Sequence, residues 1–558
     1  MNCQDYVYSN EYGDYILDFQ PTQEWLDSSD FCSIPVKDSL SVYYILRKQM
    51  EEIYPSAFRY LYLPKLYGQM DVGAGLTQGT LPPDYGFLEE SGIAPLKNAP
   101  LSLNGENVII GIIDGGFSIR QLKEKFPDYR DKILSYWDQS RPCASPPTDF
   151  GYGCEYQGNE LDEVSGSDEE DEHGTALTLI AAGEGLYGVA PEAKVILVKL
   201  KQAKEYLKNY YCIPSDVPCY EENDILFACR YISKKAAQIR LPLILLLGVG
   251  TSFGDHAGGS FLSRYASFLM EQRNEIWVVP AGNDGLSATH FRGVLSENGQ
   301  IQSSEIRVGE GNTGFLLEIW GSMPNRFEVS LRSPYGEEIT AAASINGKTK
   351  EYRFVFEKTI IFADALITEQ LSGQQLTALR FLNPTPGIWT IFVKAENIQP
   401  GAPYNMYLPM AQFQSSRVYF LVSSPEQTLC APVINENVLV VSAYRGQDGG
   451  IAPFSSRGFS INFLIKPDFT APGEKIPWEN GTISGTSASA AITAGAAALF
   501  MEWAVSRKQF PLLNARELRN ILSAGCNRDS LLSGMTGYPN REWGFGKLDL
   551  QNSFNLLI

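Results

Sequence analysis

Apolar runs typical of buried strands recur in two separate parts of the chain. They are rich in Ile, Val and Leu and lie at residues 107–114, 193–200, 241–250, 275–283 and 437–444. Two segments among them, 223–239 and 259–273, instead repeat apolar residues at helical spacing. Because strands that alternate with helices form mostly parallel sheets covered on both faces, the pattern predicts an α/β core. Chemistry in such sheets gathers where strands end, and Asp114 and Asn283 stand at two of those ends.

Residues 287–436 carry a different pattern, which interrupts the α/β alternation. Their runs are short, aromatic and β-branched, with Gly, Pro and Asn turns between them, as in GFLLEIWG, RFEVSLRSPYGEEI, EYRFVFEKTIIFA and NPTPGIWTIFVKAE. Such runs are typical of an antiparallel sandwich or jelly roll. Because the core pattern resumes from residue 437, we predict an inserted jelly-roll β domain whose two ends lie close together.

The first 95 residues form a further small unit ahead of the core. The run at 12–20 predicts a strand and the run at 41–54 a helix, so the unit is α+β. The Gly- and Pro-rich stretch 68–86 predicts a flexible exit segment, which leads from this unit to the core. The predicted division of the chain is therefore 1–95, 96–286, 287–436 and 437–558.

Composition narrows the partners and the compartment. The net charge of −19 argues against a nucleic-acid partner, since phosphate binding needs clustered Lys and Arg. No apolar run reaches the roughly 18 residues that a membrane-spanning helix needs, and the N-terminus lacks the basic start and apolar stretch of a signal peptide. The nine cysteines form no CxxC pair and no zinc-site spacing. We therefore expect reduced thiols in a cytoplasmic or spore-associated protein.

Two segments carry candidate chemistry. One of only three histidines, His173, ends an acidic run and begins a small-residue helix in SDEEDEHGTALTLIAAG, so it is either a helix cap or a proton-transfer group. Ser487 in SGTSASAAITAGAAALF is either an N-cap or a nucleophile at a helix N-terminus. A nucleophilic serine needs a base, and the base needs an orienting group. Asp114, His173 and Ser487 therefore predict a catalytic triad, with Asn283 as a donor to the oxyanion.

The motifs around these residues resemble those of the subtilisin-like serine peptidases (subtilases). They follow the order found in that family and are IIDGG, HGTA, GVAPEAKVILVKL, VVPAGN, FSSRGFS, KPDFTAPG, GTSAS and WGFGKLDL. The resemblance covers most of both core parts. It implies a subtilisin-like fold and a serine endopeptidase with Asp114, His173 and Ser487 as the triad. It further implies an oxyanion hole made by Asn283 and the backbone N–H of Ser487, and a prodomain in the first 95 residues.

The inserted β domain and the motifs LEESGIAPLKN, VGEGNTGFLLEIWG and LRSPYGEEI resemble the Csp-type subtilases of clostridia and related Firmicutes. The active member of that group cleaves the zymogen of a cortex-degrading hydrolase during spore germination, so the resemblance implies a protein substrate of that kind. Other members are pseudoproteases that have lost triad residues and act in germinant signalling. A non-proteolytic sensor or scaffold, a binding module built around the jelly roll, and an intracellular protease unrelated to germination remain alternatives.

Some positions depart from the usual subtilase pattern. Gly115 follows Asp114 where Thr or Ser is usual, which removes one hydroxyl near the carboxylate. Leu246, Leu247 and Gly248 stand at the expected substrate-binding strand and predict a more apolar wall for the S1 pocket. The acidic run before His173 lacks the ordered spacing of calcium ligands, so we predict no required metal and no cofactor.

Overall fold

The structure is a computed structural model. Some stretches predicted above fall outside the residues that it describes: 73–85 of the flexible exit, and 165–171, the most acidic part of the run before His173. The described residues are 3–21, 30–49, 59–72, 86–164, 172–185, 187–269, 274–341, 349–431, 436–446, 448–528 and 537–557.

The N-terminal segment contains a three-stranded antiparallel sheet, with residues 40–46 as its central strand. The prediction of a helix beginning at residue 41 is therefore wrong, because the β-branched and aromatic residues there pair with strands on both sides. The elements are α1 (Cys3–Tyr8), β1 (Tyr12–Leu17), β2 (Phe31–Lys37), β3 (Leu40–Leu46), α2 (Arg59–Tyr62) and β4 (Leu66–Gln69).

A disulfide joins Cys3 of α1 to Cys32 of β2. The expectation of nine reduced thiols is wrong for this pair. The two residues are 29 apart in sequence, and only the packing of α1 on the sheet brings their Cα atoms to 5.6 Å. The other seven cysteines are free thiols.

The first part of the core alternates strands and helices, as the apolar pattern predicts. The elements are α3 (Phe87–Glu90), β5 (Ile109–Asp114), α4 (Ile119–Lys125), α5 (Tyr129–Lys132), β6 (Ile133–Asp138), β7 (Cys154–Tyr156), α6 (His173–Ala182), β8 (Lys194–Lys199), α7 (Glu205–Tyr211), β9 (Tyr220–Glu221), α8 (Glu222–Ile239), β10 (Leu243–Leu247), β11 (Val249–Gly250), α9 (Phe261–Leu269) and β12 (Glu275–Pro280). Strands β5, β8, β10, β11 and β12 lie inside the predicted runs, because those runs are continuous enough to be buried on both faces. Strands β6, β7 and β9 lie outside those runs, which do not predict them.

The region predicted as an inserted β domain contains two antiparallel sheets, packed together through a hydrophobic cluster of their own. Its first and last strands begin and end near each other: the N–H of Phe420 donates to the carbonyl of Ala288 at 2.9 Å. The bounds 287 and 436 stay a prediction. The jelly-roll topology stays a prediction. The strands are β13 (His290–Leu295), β14 (Ile301–Val308), β15 (Gly314–Gly321), β16 (Arg326–Arg332), β17 (Glu338–Ala341), β18 (Lys350–Arg353), β19 (Ile360–Leu366), β20 (Gln375–Leu382), β21 (Gly387–Asn397), β22 (Ala402–Tyr407) and β23 (Val418–Phe420). One sheet has the order β13-β22-β15-β20-β19-β18, and the other β17-β16-β21-β14-β23.

The second part of the core completes an eight-stranded sheet. Its elements are β24 (Leu439–Arg445), β25 (Phe469–Glu474), β26 (Ile476–Trp478), β27 (Gly481–Ile483), α10 (Thr486–Met501), α11 (Ala515–Gly525) and α12 (Leu550–Asn555). The strand order is β25-β24-β12-β10-β5-β8-β6-β7, and every pairing is parallel except that of β6 with β7. The predicted α/β class with additional antiparallel sheets is therefore confirmed.

Helix α10 passes through the middle of the core, and each of its residues is buried. Its Ala and Gly content allows close approach to α6: a Cβ on Gly495 would lie 2.4 Å from that of Val189 and 2.9 Å from the carbonyl oxygen of Ala181. The stretch Thr486–Ser506 is apolar and long enough to cross a membrane, but 89% of its most apolar window is buried inside the fold.

A second hydrophobic cluster joins all three parts of the molecule. Polar contacts reinforce it. The buried ammonium of Lys204 lies 3.0 Å from the Asp14 carboxylate of β1, and the Tyr60 hydroxyl donates to Glu318 of β15 at 2.6 Å. The cluster includes Tyr43, Leu66 and Met70 of the N-terminal segment, Leu207 and Phe253 of the core, and Trp320 and Phe413 of the β domain.

Candidate active site

Asp114, His173 and Ser487 meet at the carboxyl end of the central strands. Asp114 is the last residue of β5, His173 the first of α6, and Ser487 the second of α10. The His173 Nδ1 lies 2.8 Å from Asp114 Oδ2, and its Nε2 lies 3.0 Å from Ser487 Oγ. All three side chains are buried. Such a chain of contacts lets an imidazole accept the hydroxyl proton while a carboxylate fixes the orientation of its ring.

Asn283 lies beside this group and presents an unused donor. Its Oδ1 accepts hydrogen bonds from the N–H and the hydroxyl of Thr486, at 3.0 and 2.9 Å, which orients the amide. Its buried Nδ2 has no hydrogen-bond partner among the residues that the structure describes. A buried unpaired donor costs roughly 1–3 kcal/mol, so its retention favours a role in binding an acceptor.

The N-terminal segment occupies the cleft next to these groups. Strand β4 lies between β11 and β9 and pairs antiparallel with both. Gln69 is opposite Val249, and Gly68 is opposite Gly250. The N–H of the next residue, Met70, donates to the carbonyl of Gly248 at 3.0 Å. The segment therefore binds as an extended peptide would, by adding a strand.

The predicted substrate strand is corrected by this pairing. Gly248 does contact the bound segment, but Leu246 and Leu247 do not form its edge. Both leucines lie in β10, whose backbone already pairs with β5 and β12, so neither has a free edge for a substrate. The edge is formed two residues further on, by β11, and the short sequence motif alone did not fix that register.

Met70 lies across the nucleophile. Its carbonyl oxygen lies 2.7 Å from Ser487 Oγ and accepts a hydrogen bond from the Ser487 N–H at 3.4 Å. Beyond the Met70–Asp71 bond, the N–H of Val72 donates to the carbonyl of Ser484 at 3.1 Å. A Cβ on Gly485 would lie 2.3 Å from the Met70 oxygen, so only glycine leaves room for this carbonyl. The Met70–Asp71 peptide bond is thus held in register on both sides.

The side chain of Met70 fills a pocket beside Gly250 and Cys430. A Cβ on Gly250 would lie 2.9 Å from Met70 Cε and 3.3 Å from the Cβ of Cys430. Met70 is almost completely buried there. This pocket is therefore shaped for an unbranched apolar side chain.

The inserted β domain borders the same cleft. The Gln412 side-chain amide donates to the backbone carbonyl of Gln69 at 3.1 Å. A cavity of about 220 Å³ beside the Met70–Asp71 bond is lined by Gln69–Val72, Asn283, Asp284 and Met410–Gln412. The strand pattern of residues 287–436 does not predict this contribution, because it does not indicate which loop faces the core.

Metal binding has no candidate site in the described part of the chain, which contains no suitable group of three or more His, Cys, Asp or Glu side chains. The most acidic residues before His173 are outside that part. The prediction that no metal is required stays a prediction.

Comparisons with known proteins agree with the sequence motifs. Residues 418–546 match the subtilase family. The solved structure of the CspB protease of Clostridium perfringens is 25% identical and has a TM-score of 0.72, covering 85% of this chain and 98% of that chain. The epidermin leader peptide processing serine protease of Staphylococcus aureus is 12% identical with a TM-score of 0.47, covering 98% of this chain and 99% of that chain. No curated protein sequence matches. The resemblance to Csp-type subtilases is confirmed.

Proposed function

Because residues 418–546 match the subtilase family and the fold resembles that of the CspB protease, we propose that this chain is a serine endopeptidase that hydrolyses peptide bonds through an acyl-enzyme formed on Ser487. The Oγ of Ser487 attacks the substrate carbonyl, and His173 takes its proton through Nε2. Asp114 holds the imidazole through Nδ1 and stabilises the positive charge that develops on it. The 2.8 and 3.0 Å contacts of His173 support these roles.

The negative charge on the tetrahedral intermediate has two candidate donors. The Ser487 N–H lies 3.4 Å from the Met70 oxygen, and the Nδ2 of Asn283 is an unpaired donor close by. The N-terminus of α10 adds the positive end of a long helix dipole at the same point. When the intermediate collapses, His173 returns its proton to the leaving amine, and water then releases the acyl group.

We propose that the first bond cleaved is Met70–Asp71 of the chain itself. The single observation that carries this proposal is the Met70 carbonyl oxygen, 2.7 Å from the Ser487 Oγ and directly after a strand that pairs on both edges. The N-terminal segment then acts as a prodomain that covers the cleft until it is cut. The bond lies inside the stretch predicted as an exit from this segment.

N-terminal sequencing of wild type beside Ser487→Ala tests this proposal. Wild type should yield a second chain that begins at Asp71, whereas Ser487→Ala should stay intact. The intact mutant should keep the folded state of wild type, because Ser487→Ala removes only one buried hydroxyl group and leaves the Cβ in place. Full-length chains in both samples would support a pseudoprotease sensor instead, and cleavage in both would indicate a contaminating protease.

The substrate in trans is proposed from the resemblance to Csp-type subtilases: the zymogen of a spore cortex hydrolase, met in the cytoplasm or in the spore. The experiment incubates wild type and Ser487→Ala separately with clostridial spore proteins and with proteins of vegetative cells, and identifies new N-termini by mass spectrometry. A cortex hydrolase shortened by wild type alone supports germination. Cleavage confined to proteins of vegetative cells favours an intracellular protease of another role.

A further inference from the structure

We propose that this enzyme selects glutamine at P2, the second residue before the cleaved bond, because the P2 amide donates a hydrogen bond directly to Asp114. This inference rests on the proposed peptidase function and on Met70 as the P1 residue. It adds a substrate preference and a positioning role for the substrate's own side chain.

Three donors surround the Asp114 carboxylate. His173 Nδ1 lies 2.8 Å from Oδ2, and the N–H of Gly115 donates to Oδ1 at 2.7 Å. The third donor is Nε2 of Gln69, 3.1 Å from Oδ1. Gln69 belongs to the bound segment, so one of the groups that hold this buried carboxylate comes from the peptide to be cleaved.

Gly115 makes this contact possible. A Cβ at that position would lie 2.9 Å from the Gln69 Nε2 and 1.8 Å from the hydroxyl oxygen of Tyr220. Tyr220 is buried in β9, the strand that pairs with β4 opposite Tyr67. A threonine or serine here, as is usual in the subtilases that the chain resembles, would occupy the space that the glutamine amide and the tyrosine share. The enzyme thus lacks the hydroxyl of a threonine or serine at position 115, and the P2 residue supplies a donor to Asp114.

The chemistry of this position discriminates among side chains. Leucine has similar bulk to glutamine but no donor, so it leaves Oδ1 with the Gly115 N–H alone. Asparagine is one methylene shorter and does not reach. Glutamate has the right length but brings a second negative charge against a buried carboxylate, which is unfavourable. Because the bond is made to the group that orients His173, its loss should lower kcat rather than raise KM.

Fluorogenic peptides that carry a C-terminal 7-amido-4-methylcoumarin group test the preference in trans. Their cleavage by the autoprocessed wild-type enzyme is measured as release of the fluorophore. The four peptides are acetyl-Tyr-Gly-Xaa-Met-7-amido-4-methylcoumarin, with Gln, Asn, Leu or Glu as Xaa. The Gln peptide has the sequence of residues 67–70. Loss of a hydrogen bond to a charged acceptor predicts a fall in kcat of about 10-fold or more from Gln to Leu. The Glu peptide should be cleaved most slowly. Equal kcat for Gln and Leu would overturn the proposal.

The same comparison in cis uses the whole chain. Gln69→Leu and Gln69→Glu should slow the appearance of the chain that begins at Asp71, in the same order as the peptides. An unchanged cleavage rate in Gln69→Glu would contradict the inference, because a carboxylate at P2 should repel the carboxylate of Asp114.

An enzyme variant supplies the matched control. Gly115→Ser combined with Tyr220→Leu restores an internal hydroxyl and blocks the approach of the amide, so its preference for Gln over Leu should vanish. Tyr220→Leu alone should keep that preference. A preference kept by the double variant would show that Asp114 is not its source.

The outcome separates this inference from the proposed function. If wild type and Ser487→Ala release 7-amino-4-methylcoumarin at the same rate, the peptidase assignment itself is wrong, and the P2 preference is wrong with it. If only wild type cleaves, but without distinguishing the four peptides, the P2 inference alone is wrong.

Discussion

Individual side chains of the active site are held in place by hydrogen bonds and close contacts with adjacent residues. The Asn283 amide is oriented by Thr486, the residue next to the nucleophile. Asp114 is held by the N–H of Gly115 and packs so closely against Gly248 that a Cβ there would lie 1.9 Å from its Oδ2. The site therefore tolerates little change in shape, and small substitutions should have large kinetic effects.

Replacing the proposed triad and oxyanion residues should give graded losses. Ser487→Ala or His173→Ala should reduce kcat by about 10⁴-fold or more, because triad members act as a unit. Asn283→Ala should cost less, about 10²–10³-fold, since one of two oxyanion donors remains. Steady-state kinetics on the Gln peptide measure these losses, with circular dichroism as the control for folding. A Ser487→Ala enzyme as active as wild type would refute the mechanism.

Two further histidines, His256 and His290, stack on opposite sides of Tyr407 where the core meets the β domain. Their ring centroids lie 3.7 and 4.5 Å from that of the tyrosine. Burial disfavours the charged form and lowers the pKa of each imidazole to about 4. Each neutral, buried imidazole therefore makes its whole contribution to the free energy of unfolding above pH 6.5, the pKa of an unfolded histidine. That contribution is lost as the pH falls from 6.5 toward 4.

His256→Asn should therefore reduce the loss of stability on acidification by about 2 kcal/mol between pH 7 and pH 5. Asparagine suits the positive φ of 50° at this position. Buried carboxylates such as Asp255, whose pKa is raised to about 6 by burial, act in the opposite direction over this range. The comparison of mutant with wild type in urea melts at both pH values removes that contribution. Parallel pH dependence in the two proteins would contradict this account.

At the scale of elements, the short strand β11 determines which side chain enters the S1 pocket. It offers a backbone edge to the substrate, and its Gly250 leaves the space that Met70 fills. The central strand β10 cannot serve in this way because its edges are already paired on both sides. Specificity at P1 thus depends on a two-residue element next to the sheet rather than on the sheet itself.

Gly250→Val should shift the P1 preference from methionine toward alanine. The added side chain would occupy the space of the Met70 terminal methyl, and pocket changes of one or two methyl groups alter kcat/KM by roughly 10–200-fold. The measurement compares kcat/KM for peptides ending in Met and in Ala on both enzymes. The Ala peptide is the control, since wild type and Gly250→Val should cleave it with the same kcat/KM. An unchanged Met-to-Ala ratio would mean that Gly250 does not limit the pocket.

For the whole molecule, the N-terminal segment is part of the hydrophobic interior rather than a cover on its surface. Its residues share one cluster with the core and the β domain. The Lys204 ammonium is buried and donates to the carbonyls of Tyr6 and Tyr12 and to Asp14, each at 3.1 Å. Removal of the segment would expose to water the apolar side chains of the core and the β domain that pack against it, which is destabilising.

A chain that begins at Asp71 should therefore fail to reach the folded state unless residues 1–70 are supplied separately. Long-range parallel pairing folds slowly, and the segment completes an interface that the core cannot bury alone. The experiment refolds the truncated Ser487→Ala chain with and without the 1–70 fragment and measures the monomer by size-exclusion chromatography. A fragment with Asp14→Ala is the matched control and should rescue less. Efficient folding without any fragment would exclude this role.

Features that depend on local order can be predicted from the amino-acid sequence. Continuous apolar runs predict the buried strands of the core, because burial on both faces leaves no polar positions. Motifs of a few residues also predicted Asp114, His173, Ser487 and Asn283, since each stands at the end of a strand or the start of a helix. The aromatic and β-branched pattern indicated the antiparallel sheets of residues 287–436.

Features that depend on pairing between segments far apart in sequence are visible only in the folded structure. The Cys3–Cys32 disulfide, the strand at 40–46 and the correct substrate edge at Gly248–Gly250 all depend on which segments pack side by side. The position of Gln69 beside Asp114 is of the same kind, because 45 residues separate them in sequence and no local pattern links them. Local propensity fixes the elements, whereas their register and contacts follow from packing the whole chain, and the specificity of this active site lies in those contacts.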